Sequence, residues 1–149
     1  MSNDTENSLA GLSVLVVDDE AMLRRRLSAH LEALGADVTG ADTLSGAQRL
    51  LAEMEFDFVL LDIHLPDGLG TDLLRGGLAQ KGPGVVVMTA EGEIKGAVEA
   101  MRLGALDYLV KPFDPGLLPL VMRRARRARQ SSRVAEHVLK TENEAGFFF

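Results

Sequence analysis

The sequence predicts an α/β domain, a doubly wound and mostly parallel sheet with helices on both faces. Three observations carry that reading. The runs Ser13–Val17, Phe58–Leu61 and Val85–Met88 are continuously apolar rather than alternating, as in strands covered on both faces. Each stops abruptly at a polar residue, Asp18, Asp62 and Thr89 respectively. Between the runs, apolar residues recur at helical spacing, so that the chain reads as five strand-then-helix repeats.

Each element has its own signal. Residues 1–11 are polar and expected to be disordered. After the first strand, Met22, Leu23, Leu27, Leu31 and Leu34 mark a helix, closed by Gly35 in the C′ position. Val38, between Asp37 and Thr39, alternates as an edge strand would. Ser45, three residues before Gln48, has capping-box spacing, and Ala47, Leu51 and Met54 follow on one helical face. Pro66-Asp67-Gly68 is turn chemistry. Leu69, Leu73 and Leu74 predict a short helix broken by Gly76-Gly77. Ile94, Ala97, Val98 and Met101 form the next helical stripe, ending near Gly104. Tyr108-Leu109-Val110 is the last strand, stopping at Lys111-Pro112-Phe113. Asp114-Pro115 then supplies an N-cap and a first helical position.

Composition removes many functions. The chain has 149 residues, room for about one domain. Apolar residues make up 46% and charged residues 26%, a globular mix. No run of about 18 apolar residues offers a membrane span. The first ten residues carry Asp4 and Glu6 without the basic start of a signal peptide. Cysteine is absent, which excludes disulfides, thiolate metal sites and thiol nucleophiles and suits the reducing cytoplasm. His30, His64 and His137 show no metal-ligand spacing. A net charge of −6 argues against nucleic-acid binding by bulk electrostatics.

The chemistry gathers at strand ends. In a parallel sheet the C-terminal ends lie on one edge, where ligands bind. Asp18, Asp19, Asp62, Thr89 and Lys111 should therefore meet in one crevice. Three carboxylates in contact repel, which raises the pKa of at least one of them. A hard divalent cation relieves that repulsion, and an all-oxygen ligand set suits Mg²⁺. A carboxylate nucleophile beside a cation, a lysine and a hydroxyl is equipment for phosphoryl transfer to aspartate. The plainer readings are an acidic helix start for Asp18 and Asp19, a strand-end Thr89, a surface Lys111 and a packing role for Tyr108.

These residues stand in motifs. Val-Val-Asp18-Asp19-Glu20, Leu-Leu-Asp62-Ile-His-Leu-Pro66-Asp-Gly68, Met-Thr89-Ala90 and Leu-Val-Lys111-Pro112-Phe113 resemble, in order and spacing, the response-regulator receiver domain of two-component signalling. The resemblance spans about residues 12–128. It implies a flavodoxin-like sheet of order 2-1-3-4-5, an arrangement known from a chemotaxis receiver. It implies that Asp62 is the phosphoacceptor, supplied by a cognate histidine kinase. It implies that Mg²⁺ is held by Asp19, Asp62 and the backbone carbonyl of His64, with Asp18 acting through water. Lys111 would contact the phosphoryl oxygens, and the Lys111-Pro112 peptide would be cis. Thr89 would swing toward the phosphoryl group and Tyr108 would turn inward behind it. The face made by the fourth helix, fifth strand and fifth helix would then be remodelled. His64 and Glu91 occupy positions similar to ones that tune hydrolysis in the family. Such a domain regulates rather than turning over an external substrate, and Lys111→Ala is expected to impair the switch more than the fold. An aspartate-nucleophile phosphatase, a flavin-binding module and a pseudo-receiver interaction module are the competing classes.

The end of the chain has a further pattern. Leu118, Ala125, Ser132 and Leu139, with Val121, Ala128, Ala135 and Glu142, form a heptad of small residues. A linker helix over 129–149 and a homodimer are expected, against the plainer reading of a solvated helix. Pro119 should make the first turn irregular. Arg123, Arg124, Arg126, Arg127, Arg129 and Arg133 form a basic stripe, read as a solvated face or one with an acidic partner within the chain. The terminal Phe147-Phe148-Phe149 suggests truncation before an output domain, in the manner of sigma-54-dependent activators. No membrane contact and no direct nucleic-acid contact are expected from this segment.

Overall fold

The computed structural model describes residues 8–125. Its strands are β1 (Ser13–Val17), β2 (Asp37–Ala41), β3 (Phe58–Asp62), β4 (Gly84–Ala90) and β5 (Asp107–Lys111). Its helices are α1 (Ala21–Ala33), α2 (Leu44–Glu53), α3 (Thr71–Arg75) and α4 (Ile94–Arg102), followed by α5, which begins at 118 and is described to 125. The five strands are all parallel, in the order β2-β1-β3-β4-β5. One row of partners crosses the whole sheet: Gly40, Val16, Leu60, Val86, Asp107.

The continuous apolar runs are explained by two cores. Side chains alternate across a strand. Leu15, Val17, Val59, Leu61, Val85 and Val87 face a layer containing α2, α3 and Ala100 of α4. Val14, Val16, Phe58, Leu60, Val86 and Met88 face the other layer, with Leu27 and Leu31 of α1 and Leu118, Val121, Met122 and Ala125 of α5. Every residue of β3 is buried, so no position in it could be polar without a partner.

Several local expectations change. Of the segment 1–11 expected to be disordered, Leu9 is buried and its N–H donates to the carbonyl of Leu34 (2.8 Å). The cap of α2 is Thr43 rather than Ser45: the Thr43 hydroxyl accepts from the Gly46 N–H (3.0 Å). Leu69 belongs to a short antiparallel ribbon, His64–Leu65 against Gly68–Leu69, and α3 begins only at Thr71. Met22 is 77% exposed, because the inner face of α1 is carried by Leu27 and Leu31. The stripe on α4 is divided: Ala97 and Ala100 are buried, whereas Ile94, Val98 and Met101 are exposed. The irregular turn expected near Pro119 is a 3-10 turn, Pro115–Leu117, started by the Asp114 carboxylate accepting from the Gly116 N–H (2.9 Å). Finally, Leu118, Val121 and Ala125 are consumed by the domain's own core, so they do not form an outward seam. The remaining heptad positions and Arg126 to Arg133 lie outside the described residues. Arg124 does have an acidic partner within the chain, Asp107 on β5 (3.1 Å).

Candidate functional site

The strand register puts the polar residues together. Val17 pairs with Ala41 and Leu61, so Asp18 emerges beside the end of β3. Asp62 is opposite Met88, and Lys111 is opposite Ala90. The Lys111 ammonium bridges the carboxylates, 2.8 Å from Asp18 Oδ2 and 3.0 Å from Asp62 Oδ2. The Lys111-Pro112 peptide is cis.

The backbone holds this cluster in place. Asp18 is fully buried; its N–H donates to the Ala41 carbonyl (3.0 Å) and its Oδ1 accepts from the Glu20 N–H (2.8 Å). Arg24 donates to the Asp18 carbonyl (2.8 Å). The Asp62 Oδ1 accepts from the His64 N–H (3.2 Å). Burial pushes the Asp62 carboxyl up from its ordinary range, and the neighbouring Asp18 charge pushes the same way. The hydrogen bond and charge of Lys111 oppose both without cancelling them. Burial works to lower the Lys111 pKa, but its contacts with the Asp18 and Asp62 carboxylates prevail and raise it. The repulsion expected from the sequence is therefore present, although burial is the larger cause.

The cluster fits a hard cation. Carboxylate oxygens of Asp18, Asp19 and Asp62 all lie within 4.8 Å of one another. Asp19 is exposed, which leaves an open side for water. The Asp18 Oδ2 makes a charge contact with Lys111 but no hydrogen bond of proper direction, so a buried anionic oxygen has lone pairs to spare. All-oxygen ligands with an open side are what Mg²⁺ accepts. The group would be held by Asp18, Asp19 and Asp62.

Other expected residues lie around this centre. Thr89 is buried, and its hydroxyl donates to the Glu93 carbonyl (3.1 Å). Tyr108 faces outward, 40% exposed. Glu91 is exposed, and the His64 ring meets the Glu93 carboxylate. Three residues were missed by sequence reasoning. Glu93 was one, because nothing local marks it as a partner of His64. Gly70 was another: a Cβ there would come within 2.2 Å of the Asp62 carbonyl oxygen, so only glycine fits. The second glycine of Gly68-Leu69-Gly70 was the available signal. Asp67 was the third. Its carboxylate accepts from the N–H groups of Leu44 (2.7 Å) and Ser45 (3.0 Å), tying the loop after β3 to the start of α2.

A doubly wound parallel sheet with a carboxylate trio and a bridging lysine at its C-terminal edge defines a receiver-type signalling domain. A family model described as "Response regulator receiver domain" matches residues 14–123, and the chain belongs to that family, the receivers of two-component systems. It is 36% identical over 126 residues to regulatory protein AtoC of Escherichia coli, covering 84% of this chain and 27% of AtoC. It is 43% identical over 115 residues to response regulator protein FleR of Pseudomonas aeruginosa, covering 75% of this chain and 24% of FleR. The chain thus spans about a quarter of the length of these relatives. Among solved structures, NtrX from Brucella abortus superimposes with a TM-score of 0.76 at 29% identity, over 87% of this chain and 30% of NtrX. Receiver domains of this kind are regulatory. No helix among the described residues is long and apolar enough to cross a membrane.

Proposed function

We propose that this chain is a phosphorylation-dependent switch in which Asp62 accepts a phosphoryl group from the phosphohistidine of a cognate histidine kinase. The observation that carries this reading is the buried Asp18–Lys111–Asp62 bridge at the sheet edge. An Asp62 oxygen forms the new P–O bond while the P–N bond breaks, and the imidazole leaves with the electron pair. Lys111 favours the ionised carboxylate before the reaction and faces the phosphoryl oxygens after it. Asp18, Asp19, Asp62 and the backbone carbonyl of His64 hold Mg²⁺, which when bound neutralises the charge that develops on those oxygens. Thr89 then releases the Glu93 carbonyl and turns toward the phosphoryl group, and Tyr108 turns inward behind it.

The readout is the α4-β5-α5 face. Ile94, Val98, Met101, Tyr108, Val110 and Leu117 are exposed along it, an apolar surface suited to a second copy of the chain. Its rearrangement controls dimerisation and a downstream output domain, transcriptional by analogy with the regulatory relatives. The receiver extends over about 12–128, and the protein acts in the cytoplasm.

Intact mass and light scattering test this, with Mg²⁺ and acetyl phosphate on the wild type and on Asp62→Asn. One phosphoryl adduct on the wild type, none on a folded Asp62→Asn, and a changed oligomer are expected. Equal labelling of both would remove Asp62 as the acceptor. Multiple turnover of an external phosphoester would make the protein a phosphatase. No adduct even from a panel of kinases would make it a pseudo-receiver.

A further inference from the structure

We infer that the side-chain pair His64–Glu93 is a latch on Thr89, so that Glu93 governs how readily Asp62 is phosphorylated. The inference rests on the proposed acceptor role of Asp62. Four residues form a chain of contacts at the mouth of the site, from Asp62 through His64 and Glu93 to Thr89. The His64 N–H donates to Asp62 Oδ1 (3.2 Å), and the His64 ring donates from Nε2 to the Glu93 carboxylate. The Glu93 carbonyl accepts from the Thr89 hydroxyl (3.1 Å). Glu93 is also the residue on which α4 starts, and its own N–H donates to the Ala90 carbonyl (3.1 Å).

The consequence for Thr89 is geometric. Its hydroxyl is committed to the Glu93 carbonyl, and it must break that bond to reach anything attached to Asp62. Whatever fixes the Glu93 main chain therefore favours the resting position. The His64 ring does this from across the crevice, joining the loop after β3 to the loop before α4. Both side chains are about half exposed, at 54% and 45%. An exposed pair of this kind contributes modestly, so opening the latch should speed phosphorylation by about two- to fivefold. Glu93 and His64 are positioning residues here, and they act through Thr89.

The test uses the full chain, Mg²⁺ and acetyl phosphate, with adduct formation followed by intact mass. His64→Ala and Glu93→Ala should each accelerate it about two- to fivefold. The double variant should be no faster than the faster single, because the two changes open one latch. Glu93→Gln, which can still accept from the ring, should fall nearer the wild type. On a Thr89→Ala background, Glu93→Ala should change nothing. The Thr89 methyl resonance, recorded without phosphodonor, should shift in His64→Ala and Glu93→Ala alike. Multiplying effects in the double variant, equal acceleration on the Thr89→Ala background, or an unmoved methyl resonance would each overturn the latch. Absence of any adduct on the wild type, from acetyl phosphate and from a panel of kinases alike, would condemn the acceptor reading, whereas a normal adduct with unaltered rates condemns the latch alone.

Discussion

Gly70 lies directly against the main-chain carbonyl of Asp62, and a Cβ placed on it would sit 2.2 Å from that oxygen. Its own N–H donates to the Ile63 carbonyl (2.7 Å), so the contact is held from both sides. Gly70→Ala must therefore move either the loop or the end of β3. We expect a loss of about 1–3 kcal/mol in stability, the usual cost of overpacking. Slower phosphorylation should accompany it. Thermal melts and adduct kinetics on the same sample check both.

Lys111→Ala leaves Asp18 and Asp62 in the interior with no cation between them. Removing one partner from a buried ion pair costs about 3 kcal/mol or more, so the fold should suffer alongside the switch rather than less than it. The melting temperature should fall at pH 7, and added Mg²⁺ should recover part of the loss. The pKa of Lys111 is raised in the fold from 10.5, so its stabilisation is complete below that value. It disappears as pH rises through the raised one. The deficit of the variant should accordingly shrink in strongly alkaline buffer.

Asp67→Ala should lower the melting temperature by removing the acceptor for Leu44 and Ser45. The hydrogen bonds from the Ser45 and Leu44 backbones hold the Asp67 carboxyl below 3.8. Its contribution is thus present above 3.8 and lost as pH falls through the lowered value. Melts of variant and wild type should differ at pH 7 and converge in acid as pH falls through the lowered value.

Val98→Glu tests the exposed face of α4. The residue is 49% exposed, so stability should change by no more than about 0.5 kcal/mol. Phosphorylation should proceed normally while the phosphorylation-dependent change in mass by light scattering is lost. A dimer that survives the substitution would place the contact elsewhere.

The sheet and the central cluster were legible in the sequence, and the loops were not, for one physical reason. Residues such as Leu60 and Val86 are buried on a strand with both faces covered, so burial alone dictates their chemistry. Asp18, Asp62, Thr89 and Lys111 follow directly from those strands, and strand direction fixes their edge. Glu93 and Asp67 instead act across loops, through contacts spanning 29 and 23 positions respectively. No local pattern encodes such a separation. The stripes on α1 and α4 misled in another way. Met22, Ile94 and Val98 are apolar at the right period yet face outward, because periodicity marks an apolar side without saying what covers it.

The fourth helix is an inside-out element. It turns Ala97 and Ala100 toward the sheet, with Gly96 close against Ile63, and carries its bulkier Ile94, Val98 and Met101 on the outside. Methyl groups and a bare backbone grip a sheet far less firmly than the leucines of α1 do. A small sideways slip of α4 forfeits little apolar contact underneath. The same slip repositions nearly all of the helix's greasy bulk above. Such a helix is a slider, inexpensive to displace and conspicuous once displaced, and its first residues adjoin the loop that holds Thr89.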